Sequence, residues 1–261
     1  MFHCQTCGFY YVENPETDYG LIYDHRYYQG KGADQSIDYI YELEHQQTTV
    51  RNYEWQGIAT IASHFLKQLE GKKWLDYGCG TGGLLQYCEQ NYKVEMFGFD
   101  QGWAVERAAA AGMRILPEEA LESHLQGFDV ITAIEVLEHC LDPISELQRI
   151  RSLLKPGGLF FYTTGNSQPF EGNILDWPYF APEIHISLFQ PKTMAYALEK
   201  CGFQVEDGYF VPGLEKLIRY KVLKALSFKD MSLAEKWLPW TVLARLVDKK
   251  YRLSEYPIAR A

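Results

Sequence analysis

Lys73-Trp74-Leu75-Asp76-Tyr77-Gly78-Cys79-Gly80-Thr81-Gly82-Gly83 is the stretch that decides how this chain folds. Lys73 to Tyr77 reads as a short apolar strand and Gly82 to Gln90 as a helix, so the glycines fall in a strand-to-helix turn. Such a turn bends sharply and lets a ligand approach the backbone with no Cβ in the way. The helix that follows offers unpaired N–H groups to whatever is bound. Outward from the turn the pattern alternates. Val94 to Phe99, Met113 to Leu116, Phe128 to Ala133 and Leu159 to Thr164 read as strands. Trp103 to Ala111, Pro143 to Leu154 and Pro191 to Lys200 read as helices, the second capped by Asp142 with Pro143 at its first position. Thr49 to Leu69, ended by Gly71, and Ser36 to Glu44 read as helices before the turn; Phe203 to Val211 and Tyr256 to Arg260 read as the last strands. Strands alternating with helices over this length predict an α/β protein with a doubly wound, mostly parallel sheet covered on both faces.

The turn alone leaves its ligand open. Gly78, Gly80 and Gly83 also fit the dinucleotide pattern G-x-G-x-x-G, and Asp100, twenty-two residues after Gly78, stands where a carboxylate grips ribose hydroxyls. A nicotinamide-dependent oxidoreductase is therefore one reading. Against it stands Asp76, two residues before the first glycine: a carboxylate there repels a pyrophosphate and welcomes an amino-acid ammonium.

Four stretches in order carry a resemblance. Trp74 to Gly82 resembles the first motif of class I S-adenosylmethionine-dependent methyltransferases. Phe128-Asp129-Val130-Ile131 leading to Glu135-Val136-Leu137-Glu138-His139-Cys140-Leu141-Asp142-Pro143 resembles their fourth-strand motif, and Leu154-Lys155-Pro156-Gly157-Gly158 the turn before their fifth strand. His185 to Pro191 followed by Cys201-Gly202-Phe203 is similar to the ubiquinone-biosynthesis-type and polysaccharide-modifying branch. The resemblance covers about Thr49 to the C-terminus. It implies a seven-stranded sheet with an antiparallel last strand and S-adenosyl-L-methionine as cofactor. Asp76, Gly78 and Gly80 would line the methionine portion, with Tyr77, Cys79 and Gly82 also in the cofactor loop, and Asp100 would bind the ribose. Gln101 and the stretch Leu116-Pro117-Glu118 would lie near the adenine, and Glu135 and Val136 at the mouth of the fourth strand. Pro117-Glu118-Glu119 departs from the family's usual third-strand turn.

Methyl transfer to a hydroxyl needs a group to take the proton, and His139 and His185, both expected at the carboxyl edge of the sheet, are the candidates. The plainer reading makes them hydrogen-bond anchors for the neighbouring turns. The acceptor is expected to be a small molecule or glycan, methylated at oxygen. A catalytically silent cofactor-fold subunit acting as an interaction partner is the competing reading from another class.

Residues 1–48 read as a loop-rich aromatic extension, with Tyr27 and Tyr28 as candidate lid residues, and residues 49–261 as the catalytic domain with a helical cap inserted at 213–252. Cys4-x-x-Cys7 has the spacing of half a zinc ribbon, but a structural zinc takes four ligands and no second such pair exists. His3 and His25, or a second chain, would have to complete it. The pair reads as a vestige of the ribbon that precedes some sugar-modifying members, so no metal is expected beyond that weak candidate. Composition is that of an ordinary globular protein, 47% hydrophobic and 23% charged. No secretory leader or membrane-length apolar run is read, and the scattered cysteines suit a cytoplasmic protein. The net charge of −9 argues against nucleic acid as a partner. That charge is uneven: residues 214–250 carry nine bases and four acids, a segment of +5 in a remainder of −14. A basic amphipathic segment of this kind is a candidate for peripheral membrane contact, with packing as a cap the plainer alternative.

Overall fold

The computed structural model describes every residue except 33–36, 208 and 234, together with all side chains in its elements but that of Tyr19. Six strands form the central sheet: β1 (Lys73–Tyr77), β2 (Glu95–Phe99), β3 (Phe128–Ile134), β4 (Leu154–Thr163), β5 (Gln204–Glu206) and β6 (Ile258–Arg260). Their order is β2-β1-β3-β4-β6-β5, parallel except for β6, which runs antiparallel to both neighbours. The seven main helices are α1 (Arg51–Leu66), α2 (Gly83–Asn91), α3 (Trp103–Ala110), α4 (Pro143–Leu153), α5 (Pro191–Lys200), α6 (Leu214–Ala225) and α7 (Trp240–Tyr251).

The strands are apolar on both sides, and successive side chains alternate between two cores. Leu75, Ile131 and Phe160 point to one face, where Leu147 and Ile150 of α4 and Met194 and Leu198 of α5 cover them. Trp74, Val130 and Leu159 point to the other, under Ile58 and Ile61 of α1, Leu85 and Cys88 of α2 and Leu217 of α6. Helices α1 and α6 approach closely because glycines meet there: a Cβ on Gly57 would lie 2.8 Å from the Gly213 carbonyl oxygen.

Three departures from expectation have local causes. Met113 to Leu116 makes a single parallel bridge, Ile115 to Gly98, in place of a seventh strand. Leu116 donates to the Gly98 carbonyl, but the next residue is Pro117, which has no N–H to extend the ladder, and Glu118 begins a helical turn. Helix α1 ends at Leu66, ahead of Gly71, where Lys67 takes a positive φ of 66°. The N-terminal extension is partly ordered as strand: Phe2–His3 pairs with Tyr10–Tyr11, which pairs with Ser187–Leu188. The expected helix beginning at Ser36 starts outside the described residues; within them it runs Tyr39–Glu44, with Asp38 accepting from the Tyr41 amide as N-cap.

The chain leaves β1 toward β2 on one side and returns to β3 on the other. The carboxyl ends of β1 and β3 are therefore the point where the winding reverses, the place where open α/β sheets leave a crevice for ligands.

Candidate active site

That crevice is a cavity of about 1260 Å³, large enough for a nucleoside-sized ligand and a second molecule beside it. Its floor is the glycine turn. Gly78 has φ 83°, and a Cβ there would sit 2.3 Å from Val136 Cγ2, so the loops after β1 and β3 touch only because residue 78 is glycine. Gly80 has φ 53° and nothing within 4 Å of where its Cβ would be: its bare side faces open space. Asp76, Tyr77, Gly78, Cys79, Gly80, Asp100, Gln101, Glu135, Val136, His139 and His185 all line the cavity, together with Tyr27 and Tyr28. Gly82 and the expected adenine stretch Leu116, Pro117 and Glu118 do not. Gly82 turns its Cβ position toward Met113 Sδ, 2.1 Å away, and so serves helix packing. Glu118 is drawn off by Arg149, whose Nη2 donates to it at 2.7 Å.

Two carboxylates flank the turn, and among the described residues no cation pairs with either. Asp76 is buried, and among the described residues its one hydrogen-bond partner is Thr132, whose hydroxyl donates at 2.7 Å while itself accepting from Trp74 Nε1 at 3.0 Å. Burial pushes the Asp76 carboxyl up to about 7, against the pull of the Thr132 hydroxyl and with a further push from the Asp100 charge. Asp100 accepts from the backbone amides of Gly80 at 2.5 Å and Gln101 at 2.7 Å, which ties the acid at the end of β2 to the glycine turn. Loss of water raises it to about 6 despite those two amides. A pair of desolvated acids, one unmet by any protein cation and the other by backbone amides alone, fits a ligand that brings positive charge and hydroxyls. It does not fit a pyrophosphate.

Beyond β3 lies a second polar group. Glu135 adopts φ 55°, a left-handed conformation that costs a residue with a Cβ on the order of 1 kcal/mol or more. Three donors hold its carboxylate there: Thr163 Oγ1 at 2.7 Å, Lys221 Nζ at 2.9 Å and Tyr179 OH at 2.6 Å. Burial opposes the charge, but Lys221 and the donors win, and the Glu135 carboxyl lies well below its ordinary range while the Lys221 ammonium lies above its own. Glu138 goes the other way. It is 1% exposed, and burial together with the Glu135 charge raises it to about 8. Tyr179 OH touches both acids but has one hydrogen; donated to Glu135, it requires the Glu138 contact to be bridged by a proton on Glu138. Thr164 Oγ1 donates to the other Glu138 oxygen at 2.9 Å. Neither Tyr179 nor Lys221 was picked out by the sequence; Lys221 arrives from α6, inside the inserted segment.

His139 and His185 come together here, with ring centroids 5.1 Å apart. His139 Nδ1 lies 2.8 Å from the Ile184 carbonyl oxygen and 2.8 Å from Tyr23 OH; His185 Nδ1 lies 2.6 Å from the Tyr179 carbonyl oxygen. Donation from Nδ1 to these carbonyls fixes each ring and puts its lone pair on Nε2. Among the described residues, one group of three or more side chains could hold a metal ion: Glu138, His139 and His185, with ligand atoms all within 4.8 Å of one another. Cys4 and Cys7, the weak candidate from the sequence, are not part of that group. Among the described residues Cys4 and Cys7 gather no third ligand; the His3 ring is stacked on Tyr10 at 3.9 Å and His25 lies against Trp103. Tyr27 and Tyr28 form an aromatic wall of the cavity, buried in a cluster with Tyr39, Trp103 and Ile184.

Comparison with known proteins agrees with this geometry. A family model for a methyltransferase domain matches residues 49–207, more than half of the chain. A ubiquinone biosynthesis O-methyltransferase of Acinetobacter baylyi is 30% identical over 159 residues, 53% of this chain and 66% of that protein. One of Pseudomonas aeruginosa is 37% identical over 111 residues, 39% of this chain and 47% of that protein. The chain thus spans about half to two-thirds of the length of these relatives. In fold it is similar to an S-adenosylmethionine-dependent methyltransferase of Mesorhizobium loti, with TM-score 0.51 at 18% identity over 78% of this chain and 98% of that one. A [4+2]-cyclase, SpnF, is as close in fold, with TM-score 0.51 at 18% identity over 78% of this chain and 80% of that one. The glycine turn, the acids beside it and the matched domain lead to one assignment: the chain belongs to the class I S-adenosylmethionine-dependent methyltransferases.

Proposed function

We propose that this protein moves a methyl group from S-adenosyl-L-methionine to a hydroxyl oxygen of a small-molecule or glycan-type acceptor, in the cytoplasm. The observation that carries the reading is the pair of acids, buried Asp76 and half-buried Asp100, on either side of a glycine turn that faces open space. When bound, the cofactor supplies a methyl group on a positively charged sulfur with a good leaving group behind it. What remains for the chain is to bind, align and exclude water. Asp76 receives the ammonium, Asp100 the ribose hydroxyls, and Gly80 gives the close approach. Tyr27, Tyr28 and the carboxyl-edge loops enclose the acceptor. His139 or His185, with Nδ1 committed to a carbonyl and the lone pair on Nε2, takes the hydroxyl proton as the new C–O bond forms. The names of the A. baylyi and P. aeruginosa relatives, both O-methyltransferases, support oxygen as the methylated atom. Six free cysteines suit a reducing compartment, and no helix among the described residues is long and apolar enough to cross a membrane.

The test is a methyl-transfer screen with labelled cofactor against sugar nucleotides, lipid-linked glycans and phenols. Product carrying an O-methyl group is expected, and His139→Ala or His185→Ala should lower kcat by about 10²–10⁴ with cofactor affinity kept. Asp100→Ala should weaken the cofactor by about 2–3 kcal/mol in calorimetry, since charge-assisted hydrogen bonds to the ribose are lost. Tight nicotinamide binding would support the oxidoreductase reading. Cofactor binding with no transfer to any acceptor would support the silent subunit.

A further inference from the structure

The segment 214–250 sorts its charges by exposure. Lys229, Lys236, Arg245, Lys249 and Lys250 are exposed, whereas none of its four acids is. Glu235 is buried against Arg219 and Tyr53, and Asp230 accepts from Tyr41 and Thr48. Asp248 accepts from Ser254, and Glu215 from Thr241. The exposed charge of this unit is therefore all positive. Large apolar side chains share the surface: Trp237 is 88% exposed and Leu233 78%, with Leu226, Phe228, Val242 and Leu246 exposed as well. On α7 the exposed positions are 241, 242, 245, 246, 249 and 250, one stripe at helical spacing, with Tyr251 exposed at the helix end. Val242 and Leu246 lie within it among Arg245, Lys249 and Lys250, while Trp240 and Ala244 on the opposite side are buried.

We propose that this face docks on an anionic lipid surface. Exposed Trp and Leu interleaved with Lys and Arg is the chemistry of a helix lying in the interface, with apolar groups entering the acyl boundary and bases meeting headgroup phosphates. A second copy fits poorly, because a two-fold contact would set the same cations against themselves. The remainder of the chain, at −14, is repelled by the same surface, so the field orients the molecule with this face down. Ala225 and Ser227, both exposed, line the active-site cavity, so docking brings that opening beside the lipid.

The experiment is co-sedimentation of the intact chain with vesicles of phosphatidylcholine alone and with about one-third phosphatidylglycerol. Binding to the second only, weakened by salt, is expected. Each base near such a surface contributes about fivefold in partitioning, so Lys236→Glu with Lys249→Glu should weaken it about 20-fold or more. Trp237 is the exposed member of six tryptophans, so a blue shift on binding should vanish in Trp237→Phe. All three positions are exposed, and an unchanged thermal melt checks that the variants fold. Equal binding to both vesicle types, no binding by the folded wild type, or a charge-reversed variant that binds as well would overturn the proposal. So would a concentration-dependent dimer that quenches the same shift, which would make the face a contact between copies. None of these outcomes depends on methyl transfer, so docking and the catalytic reading fail separately.

Discussion

Lowering the pH from 7 to 6 should weaken S-adenosylmethionine binding about tenfold. The cause is competition between protons and a cationic ligand for two acids, buried Asp76 and half-buried Asp100. With Asp76 titrating at about 7 and Asp100 at about 6, the fraction with both ionised falls from about 0.45 to about 0.045. That loss is about 1.4 kcal/mol of binding free energy. An α-ammonium, with a pKa of about 7.7–8.0, stays protonated across this window, so the ligand itself contributes little. Asp76→Asn removes the larger part and should leave about a twofold change, from Asp100 alone. Titration calorimetry at constant ionic strength, in two buffers of different ionisation heat, measures both affinity and proton release; about half a proton should leave at pH 7. The sign for the ligand-free fold is opposite. Raised carboxyls let the folded state hold protons that the unfolded chain releases, so stability falls as pH rises from about 4 to about 7, and the bound cation restores it. An affinity that is flat between pH 7 and 6, or a tenfold change that survives Asp76→Asn, would refute the assignment of Asp76 to the ammonium.

Two further predictions concern the turn and the polar group opposite it. Gly78→Ala forces a side chain into a left-handed backbone and within 2.3 Å of Val136 Cγ2, so urea unfolding should show a loss of about 2–5 kcal/mol. Adding Val136→Ala should return the part due to the clash and leave the part due to φ. Divalent ions should raise the melting temperature through Glu138, His139 and His185, and Co²⁺ should give a visible absorption spectrum. Glu138→Gln should weaken that binding at least about tenfold, and a melt indifferent to every divalent ion would exclude a metal there.

Local patterning made most of the framework legible. Lys73–Tyr77 and Pro191–Lys200 begin and end where the apolar spacing, the glycine turn and Pro191 place them, because each boundary is set by chemistry within a few residues. Asp142 caps α4 as read, accepting from the amides of Ile144 and Ser145. Met113 to Leu116 misled because three apolar residues in four resemble a strand, while Pro117 denies the ladder its next donor. Glu118 misled for a different reason: a motif position carries no information about Arg149, thirty-one residues on, which claims it. Of the site, the acids beside the turn and the two histidines could be named from the sequence, Asp76 and Asp100 from their places beside the glycine turn and His139 and His185 from the motifs that hold them. Tyr179 and Lys221 were not. Each reaches Glu135 across a long stretch of chain, and nothing in the spacing around a lysine on an amphipathic helix tells which carboxylate it will meet. The left-handed backbone at Glu135 was equally hidden, since no glycine marks it.

The ion pair between Lys221 and Glu135 ties α6 electrostatically to the loop after β3. Residue 221 lies beyond the stretch matched by the methyltransferase-domain family, so a chain trimmed at 207 would keep the glycine turn and lose the cation that offsets a contorted, half-sunken carboxylate. Grafting a different lid onto this scaffold would therefore have to bring its own positive charge to the same spot, or release Glu135 from its posture and redraw the pocket.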